Sequence, residues 1–145
     1  MKTVHEVLLH KGRGEIYSIA PIRSVFEAIE MMSDRHVGAL PVMIDDKLVG
    51  VVSERDYARK VILRDKSSKQ TRVSEIMTQD VVTVTSHDRL ADCVDLMLKH
   101  HIRHLVVVDE GSVAGMLSLR DLYTEIIDEQ AETIDQLEHY VRGEQ

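Results

Sequence analysis

Apolar residues recur along the chain with two spacings, one helical and one extended, and the same order of spacings occurs twice. In the stretch SVFEAIEMM, the apolar residues have the i, i+3, i+4, i+7 spacing of one helix face: Val25, Ala28, Ile29 and Met32. The apolar runs ALPVMI and KLVGVV, on either side of Asp45 and Asp46, are typical of a β-hairpin. With the short run EIYSI before them and a helix after them, they predict the order β-α-β-β-α.

The second half of the chain repeats this pattern without a gap. Residues 16–61 align with residues 81–126 at a constant offset of 65 positions. Identical pairs occur in the helix, the hairpin and the turn that follows it: Met32 with Met97, His36 with His101, Leu40 with Leu105, Gly50 with Gly115, Ser53 with Ser118, Arg55 with Arg120, and Asp56 with Asp121. A lead-in also repeats, as VHEVL at 4–8 and VSEIM at 73–77. The chain is therefore an internal duplication, and the second copy is also predicted to be β-α-β-β-α.

The repeat divides the chain into four parts. The first repeat with its lead-in occupies 1–63, the polar stretch 64–72 is a linker, and the second repeat occupies 73–127. A helical extension is predicted over 128–145, because apolar residues of the last helix keep roughly helical spacing: Leu122, Ile126, Ile134, Leu137 and Val141. This stripe is expected to be buried against a second subunit or to cap its own domain. The predicted fold class is α/β, of the α+β type, with an extended C-terminal helix.

Composition and charge narrow the range of functions. Of the 145 residues, 43% are hydrophobic and 30% are charged, which is ordinary for a globular protein. The net charge of −7 argues against nucleic acid as a partner, because the phosphate backbone would be repelled. No apolar run approaches the roughly 20 residues of a membrane span, and the first residues lack a signal-peptide pattern. Together with the single cysteine, these features predict a cytoplasmic protein.

Patterns typical of metal binding or catalysis are missing from the sequence. His100, His101 and His104 are close in sequence, but the repeat places a helix end and a strand start between them. Cys93 falls on the apolar stripe of a helix and is expected in the core. The chain has no phosphate-binding glycine loop and no nucleophile elbow. We therefore expect no metal, no catalytic cofactor and no enzymatic activity.

The strings GVVSERD and GMLSLRD carry the distinctive chemistry of the repeat. In each, a strand ends at a serine and a helix begins, and a helix N-terminus favours an anion because its first N–H groups are unpaired. The motif adds a hydroxyl, a guanidinium suited to phosphate, and a carboxylate that could accept from ribose hydroxyls: Ser53, Arg55 and Asp56 in one copy, Ser118, Arg120 and Asp121 in the other. A capping box alone explains the serine and the acid, but it leaves the repeated arginine unexplained.

These strings, each preceded by a hairpin, resemble the signature of the CBS domain. The stretches RHVGALPVMIDDKLVGVVSERD and HIRHLVVVDEGSVAGMLSLRD carry the resemblance, which covers about residues 4–127 as a tandem pair, or Bateman module. The resemblance implies two units related by a pseudo-twofold axis and joined through their sheets. It also implies two clefts for adenosine-containing ligands, with AMP the first choice and ATP or NAD(H) the alternatives. Such pairs often associate, so a homodimer is expected.

In similar modules, the Ser-x-x-Asp end of one repeat holds the nucleotide while the base packs on the other repeat. The resemblance implies a first cleft in which Asp121 binds the ribose. Its expected phosphate contacts are Ser118, Arg120, Arg103 and His104. Its expected adenine contacts are Tyr17, Val37, Gly38 and Ala39. Met116 is a further expected adenine contact. The reciprocal cleft combines the first motif with two residues of the second repeat: Ser53, Arg55 and Asp56 with Val82 and Ile102. Gly38 and Ala39 stand where the second copy has Arg103 and His104, so the Asp121 cleft is expected to be the better phosphate site.

The loop HKGRGE, which is longer than its counterpart in the second copy, adds two cations to this prediction. Lys11 and Arg13 would lie near the entrance of the Asp121 cleft, where they extend the phosphate site or belong to a solvated surface loop. The sequence thus predicts a stand-alone regulatory module that binds an adenine nucleotide, forms a homodimer and signals to a separate effector protein. The alternative is a purely structural dimerisation module whose Ser-x-x-Asp motifs only cap helices.

Overall fold

The structure is a computed structural model that describes residues 2–11 and 16–143. The first half of the chain contains two helices, a hairpin, a further helix and a 3-10 turn: α1 (Val4–His10), α2 (Val25–Arg35), β1 (Ala39–Ile44), β2 (Lys47–Ser53), α3 (Glu54–Lys60) and the turn Ile62–Arg64. The second half repeats this order and adds a short strand: α4 (Val73–Ile76), β3 (Thr83–Val84), α5 (Leu90–His100), β4 (His104–Asp109), β5 (Ser112–Ser118) and α6 (Leu119–Val141). Both lead-ins, α1 and α4, are therefore helices.

The strands pair in the same way in both halves. β1 and β2 form one antiparallel hairpin and β4 and β5 form the other, with a register shift after Val42 and after the equivalent Val107. β3 runs parallel to β4. The α+β architecture of two repeats with an extended C-terminal helix is thus confirmed.

The first predicted strand, EIYSI, is shorter than expected. Within the described residues only Ile19 pairs with β1: Ile19 N donates to Pro41 O at 3.1 Å, and Met43 N donates to Ile19 O at 2.9 Å. The next bond of a parallel ladder would need the N–H of residue 21, and Pro21 has none. Proline therefore stops the strand after a single bridge.

Each lead-in helix packs on the other repeat rather than on the repeat that follows it. Val4 of α1 is fully buried in the core of the second repeat, and Val73 of α4 is fully buried in the core of the first. Main-chain bonds fix this exchange, because Val4 N donates to Asp88 O at 2.9 Å and Val73 N donates to Arg23 O at 2.8 Å. Each packed unit therefore contains segments from both halves of the chain.

The two cores consist of equivalent residues. Besides the lead-ins, the first core contains Val25, Ala28, Met32, Leu40, Val42 and Val52, and the second contains Leu90, Cys93, Met97, Leu105, Val107 and Leu117. Cys93 occupies the position of Ala28, and burial raises the pKa of its thiol to about 11. The thiol is therefore protonated at neutral pH, which suits a core residue and not a nucleophile.

The last helix, α6, is continuous over 23 residues. Its first turns pack on the second repeat, where Leu122 and Glu125 are buried. From Gln130 onward every described residue is exposed. The expectation that the apolar stripe caps its own domain therefore holds only for the start of the helix. Neither α6 nor any other helix in the described part of the chain is long and apolar enough to cross a membrane.

Gly50 and Gly115 occupy equivalent positions in the two hairpins and allow a direct comparison. A Cβ on Gly50 would lie 2.7 Å from Met77 Sδ and 3.0 Å from the Thr78 carbonyl oxygen, whereas on Gly115 it would lie 3.0 Å from a methyl of Leu8. A backbone oxygen cannot move aside as a leucine methyl can. We expect Gly50→Ala to destabilise the fold by about 1–3 kcal/mol and Gly115→Ala by less. Urea unfolding measures both, and a larger loss for Gly115→Ala would contradict this account.

Candidate functional site

Both Ser-x-x-Asp motifs form capping boxes at the start of a helix. At α6, Ser118 N donates to Asp121 Oδ2 at 2.8 Å, and Asp121 N donates to Ser118 Oγ at 3.1 Å. At α3, Ser53 N donates to Asp56 Oδ2 at 3.0 Å, and Asp56 N donates to Ser53 Oγ at 3.2 Å. Capping therefore accounts for the serine and the acid in both copies. It involves neither of the motif arginines.

A lysine ammonium pairs with each of these carboxylates. Lys11 Nζ lies 2.9 Å from Asp121 Oδ2, so the lysine that the sequence placed near this cleft is there as an ion pair. Lys60 Nζ lies 3.2 Å from Asp56 Oδ1. Sequence reasoning missed Lys60, although its i, i+4 spacing from Asp56 on one helix was the available signal. Arg13, the other cation expected at the cleft entrance, lies outside the described residues.

A cavity of about 410 Å³ opens at the N-terminus of α6. Four residues that the sequence analysis assigned to phosphate line it: Arg103, His104, Ser118 and Arg120. Four further lining residues had no assigned role: Leu119, Tyr123, Thr124 and Ile127. Three of the unassigned residues follow Arg120 by three, four and seven positions and share its helix face. Helical spacing was therefore the signal that could have identified them.

The groups around this cavity combine positive charge with a neutral imidazole. Burial lowers the pKa of His104 below its usual value, and the opposing attraction of Asp121 does not cancel this effect. At neutral pH the ring therefore offers one donor and one acceptor nitrogen. The positive charge comes from Arg103 and Arg120, which are both exposed. Together with the N-terminal end of α6, they favour an anion in the cavity.

Contacts between the repeats bring Gly38 of the first repeat to His104 of the second. A Cβ on Gly38 would lie only 3.2 Å from His104 Nε2, so the imidazole packs directly on the glycine backbone. The flanking main-chain bonds are equivalent on the two sides: Glu54 N donates to Gly38 O at 3.0 Å, and Leu119 N donates to Arg103 O at 2.8 Å. His104 of the cavity lining is therefore in contact with the first repeat, but every described residue that lines this cavity belongs to the second repeat, and a cleft wall from Gly38 stays a prediction.

A second cavity, of about 330 Å³, lies between α5 and α6. Its lining includes Arg55 and Ile102, which the sequence assigned to the reciprocal cleft. Arg55 Nη1 donates to His101 O at 3.2 Å and so reaches from the first repeat to the second. Of the described residues in the first motif, Ser53 and Asp56 do not line this cavity. The residues expected at the reciprocal cleft are therefore separated in the structure. Ser53 and Asp56 form the capping box of α3, whereas Arg55 and Ile102 line the second cavity.

Most residues expected to contact the adenine base are not at either cavity. Among residues 2–11 and 16–143, six of them line neither one: Tyr17, Val37, Gly38, Ala39, Val82 and Met116. The Arg35 guanidinium lies 4.5 Å above the centroid of the Tyr17 ring, and the Met116 carbonyl accepts from Lys11 Nζ at 2.9 Å. The two valines pack against the two cores. A role of these residues in base binding stays a prediction.

The histidines near the α5 terminus occupy different elements. His100 ends α5, His101 is its left-handed cap with a φ of 54°, and His104 begins β4. His36 is the equivalent left-handed cap of α2, with a φ of 56°. No group of three or more histidine, cysteine or acidic side chains in the described part of the chain could hold a metal ion.

A buried carboxylate, Glu125, joins the N-terminal segment to α6. Lys2 Nζ lies 2.9 Å from Glu125 Oε2, and His10 Nδ1 lies 2.6 Å from Oε1. Burial raises the pKa of this carboxyl, but the hydrogen bonds to Lys2 and His10 outweigh burial and hold the pKa below its usual range. Sequence reasoning missed this cluster because its members are more than 100 positions apart. With the pair between Lys11 and Asp121, it attaches α1 to α6.

Comparison with known protein families identifies the repeat. The model of the CBS domain family matches residues 12–63 and 73–128, and each match contains one hairpin and one capping box. The chain belongs to the CBS domain family. It is a tandem CBS pair, as the two strings implied.

Relatives of the pair extend over most of the chain. The mitochondrial CBS domain-containing protein CBSX3 of Arabidopsis thaliana is 32% identical over 97% of this chain and 72% of its own length. The crystal structure of the CBS domain protein NE2398 is 44% identical, covers 87% of this chain and 98% of its own, and has a TM-score of 0.82. The CBS domain pair of protein MJ0100, solved with 5′-methylthioadenosine and S-adenosyl-L-methionine, is 23% identical with a TM-score of 0.76, over 89% and 98% of the two chains.

The lowered pKa of Glu125 makes the stability of the fold depend on pH in the acid range. Its ionised form is favoured in the folded state, so its contribution is complete above the ordinary pKa of 4.5 and is lost as pH falls through the lower folded-state pKa. We expect Glu125→Gln to be less stable than the parent chain at neutral pH and to lose less stability on acidification. Urea midpoints as a function of pH measure this, with the exposed neighbour Asp128→Asn as the control. Parallel pH profiles of the parent and Glu125→Gln would contradict the assignment.

Proposed function

We propose that this chain is a regulatory module that binds an adenine nucleotide at the N-terminus of α6 and transmits the bound state to another protein. The observation that carries the proposal is the clustering of Arg103, His104, Ser118 and Arg120 around one cavity of about 410 Å³. Small-molecule sites have volumes of roughly 300–1,000 Å³. A helix cap requires only the serine and the acid, so the two arginines are left for a ligand.

The phosphate would bind between the two arginines and the first turn of α6. Guanidinium groups bind phosphate oxygens through paired hydrogen bonds, and the N–H groups of a helix N-terminus favour the same anion. Arg103 and Arg120 are exposed, so both side chains can turn toward a ligand without loss of packing. The neutral imidazole of His104 adds a donor at the inner wall of the cavity.

Asp121 keeps a capacity for ribose although it caps α6. The bonds from Ser118 N and from Lys11 Nζ both go to Oδ2. A ribose hydroxyl would therefore bind Oδ1 and leave the cap intact. Lys11 would then lie at the junction of ribose and phosphate, where it contacts either group.

Several adenine nucleotides carry these groups, and we propose AMP as the ligand, with ATP or NAD(H) as alternatives. The CBS pair of MJ0100 was solved with two adenosine compounds, which supports the proposal that this fold accommodates an adenosine group. Neither of those compounds carries a phosphate. The cations around the present cavity favour a ligand that does, because an arginine pair left without an anion would gain nothing from adenosine alone.

The cleft at Asp56 is proposed to be the weaker of the two. Gly38 and Ala39 stand in the first repeat where Arg103 and His104 stand in the second, so the first repeat supplies neither of these polar groups. Its motif arginine, Arg55, already donates to the His101 carbonyl. A phosphate at Asp56 would therefore have fewer partners than one at Asp121.

The proposed output is conformational and not chemical. The Cys93 thiol is protonated in the core, and both motif carboxylates are used in caps and ion pairs, so we assign no catalytic role to them. A ligand in contact with His104, which packs on Gly38 of the first repeat, would shift an equilibrium in the packing of the two repeats. The state would be read by a homodimer partner and a separate effector protein, and we propose the cytoplasm as the location.

A purely structural dimerisation module is the second candidate, and one observation favours it. In both Ser-x-x-Asp motifs the serine and the acid form a capping box. In that case the arginines belong to the solvated surface and no nucleotide binds. The two candidates differ in one measurement, because a ligand that binds only the folded state raises its thermal stability by mass action.

We expect at least one of AMP, ADP, ATP and NAD(H) to bind the chain and to raise its melting temperature. Isothermal titration calorimetry and thermal unfolding measure the two effects. Adenosine is the control and should bind more weakly, because it brings no phosphate to Arg103 and Arg120. No heat and no thermal shift with any of the four at millimolar concentration would favour the structural module.

Asp121→Ala is expected to weaken nucleotide binding more than Asp56→Ala. A hydrogen bond to a charged group contributes roughly 1.5–3 kcal/mol, which corresponds to about tenfold to a few hundredfold in affinity. The two substitutions remove equivalent capping boxes and one lysine ion pair each, with Lys11 of the N-terminal segment for Asp121 and with Lys60 of the same helix for Asp56. Dissociation constants from calorimetry measure the difference, and equal losses would contradict the unequal clefts.

A further inference from the structure

A second apolar stripe runs along α6, on a different face from the residues that pack on the core. Its members follow one another at intervals of four and three residues: Tyr123, Ile127, Gln130, Ile134, Leu137 and Val141. This alternation is the heptad repeat of a coiled coil. Leu122 and Glu125, which are buried against the second repeat, fall outside it. α6 therefore has two faces with apolar residues, and the described residues of its own chain cover only one of them.

No part of the chain that the structure describes buries the outer half of α6. From Gln130 to Gly143 every described residue is exposed, and the five apolar members of the stripe expose 58–82% of their surface. A helix shorter than about 12–15 residues is marginal in water when it stands alone. α6 is one helix of 23 residues with a docked start, so a surface that covers the stripe would stabilise its outer half.

We propose that the stripe pairs with the same stripe of a second copy, as a parallel two-stranded coiled coil from Tyr123 to Val141. The a positions of the heptad are Ile127, Ile134 and Val141, and the d positions are Tyr123, Gln130 and Leu137. All three a residues are β-branched and one d residue is leucine, and β-branched a residues with leucine at d favour two parallel strands. A second copy presents the same heptad register, which knobs-into-holes packing requires of a partner.

Gln130 determines the direction of pairing. In a parallel pair, Gln130 lies opposite Gln130 of the second copy, and two side-chain amides can exchange hydrogen bonds. In an antiparallel pair centred on the stripe, Gln130 would face Ile134 and lose its partner. A buried polar group without a hydrogen bond is costly, so the parallel arrangement is favoured. A single polar core position is also a known means of fixing register.

The available surface and the charges fit this pairing. Tyr140 lies at a g position beside the stripe. Together with the five apolar residues of the stripe, it exposes an apolar surface on the order of 700 Å² per chain, which is close to the ~800 Å² that each partner buries in a standard interface. Four acids of this segment fall at positions b, c and f, away from the seam: Asp128, Glu129, Glu132 and Asp135. Pairing therefore leaves the negative charge of both helices in solvent.

Cysteine cross-linking tests the parallel register. The Val141→Cys substitution lies at the seam, so two copies of this variant should become joined by a disulfide at that position when the full chain is oxidised. His139→Cys, at an outward f position two residues away, is the matched control and should stay reduced. The native Cys93 has no exposed surface and does not compete. In an antiparallel pair Val141 would face Tyr123, so failure of Val141→Cys to cross-link would overturn the proposal.

Sedimentation equilibrium tests whether the stripe holds the two copies together. The parent chain should be a dimer, and Ile134→Asp should raise its dissociation constant at least about tenfold, because a carboxylate would be buried in the seam. Glu132→Ala, at an outward f position of the same segment, should leave the dissociation constant unchanged. A monomeric parent chain, or a dimer that Ile134→Asp does not weaken, would overturn the proposal. Neither experiment contains a nucleotide, so both are independent of the proposed ligand.

Discussion

Neither repeat can close its core without a helix from the other half of the chain. Val4 and Val7 of α1 are buried in the second repeat, and Val73 and Ile76 of α4 are buried in the first. Each of these side chains contributes roughly 1.5–3 kcal/mol on burial, a large share for a unit of this size. The two repeats therefore gain stability only together, and the pseudo-symmetric pair is the folding unit.

This exchange also determines the electrostatics of the candidate site. α1 lies on the second repeat, so the residues around it meet α6: Lys2 and His10 pair with Glu125, and Lys11 pairs with Asp121. In the first repeat the equivalent acid, Asp56, is neutralised instead by Lys60 from its own helix. The two motifs share their serine, arginine and aspartate, but the lysine that pairs with the aspartate comes from a different segment in each. The proposed asymmetry of the clefts therefore depends on the fold as well as on the residues at positions 103 and 104.

The duplication made most of the fold predictable from the sequence, because each element was seen twice. The hairpins, the helix faces and the capping boxes all follow from local spacing. The exchange of lead-ins could not be predicted, since VHEVL and VSEIM have the same pattern and either would fit either core. Four residues assigned to phosphate line one cavity: the repeated motif pointed to Ser118 and Arg120, and the resemblance to Arg103 and His104. Nothing in the sequence showed that Arg35 would cover Tyr17. Contacts between distant segments depend on the topology, which local patterns do not contain.

Tyr123 and Ile127 belong to two features of the molecule at once. Both line the cavity at the start of α6, and both are the first members of the heptad stripe. A second copy on the stripe would therefore lie against the open wall of the cavity, within reach of any ligand there. Ligand binding and dimer formation would then share a surface, so each would change the free energy of the other. By linkage the factor by which a nucleotide changes the dimer affinity must equal the factor by which dimer formation changes the nucleotide affinity. Its sign depends on whether the bound ligand fills the space beside Tyr123 or displaces that ring, and α6 is long enough to carry either outcome to its far end.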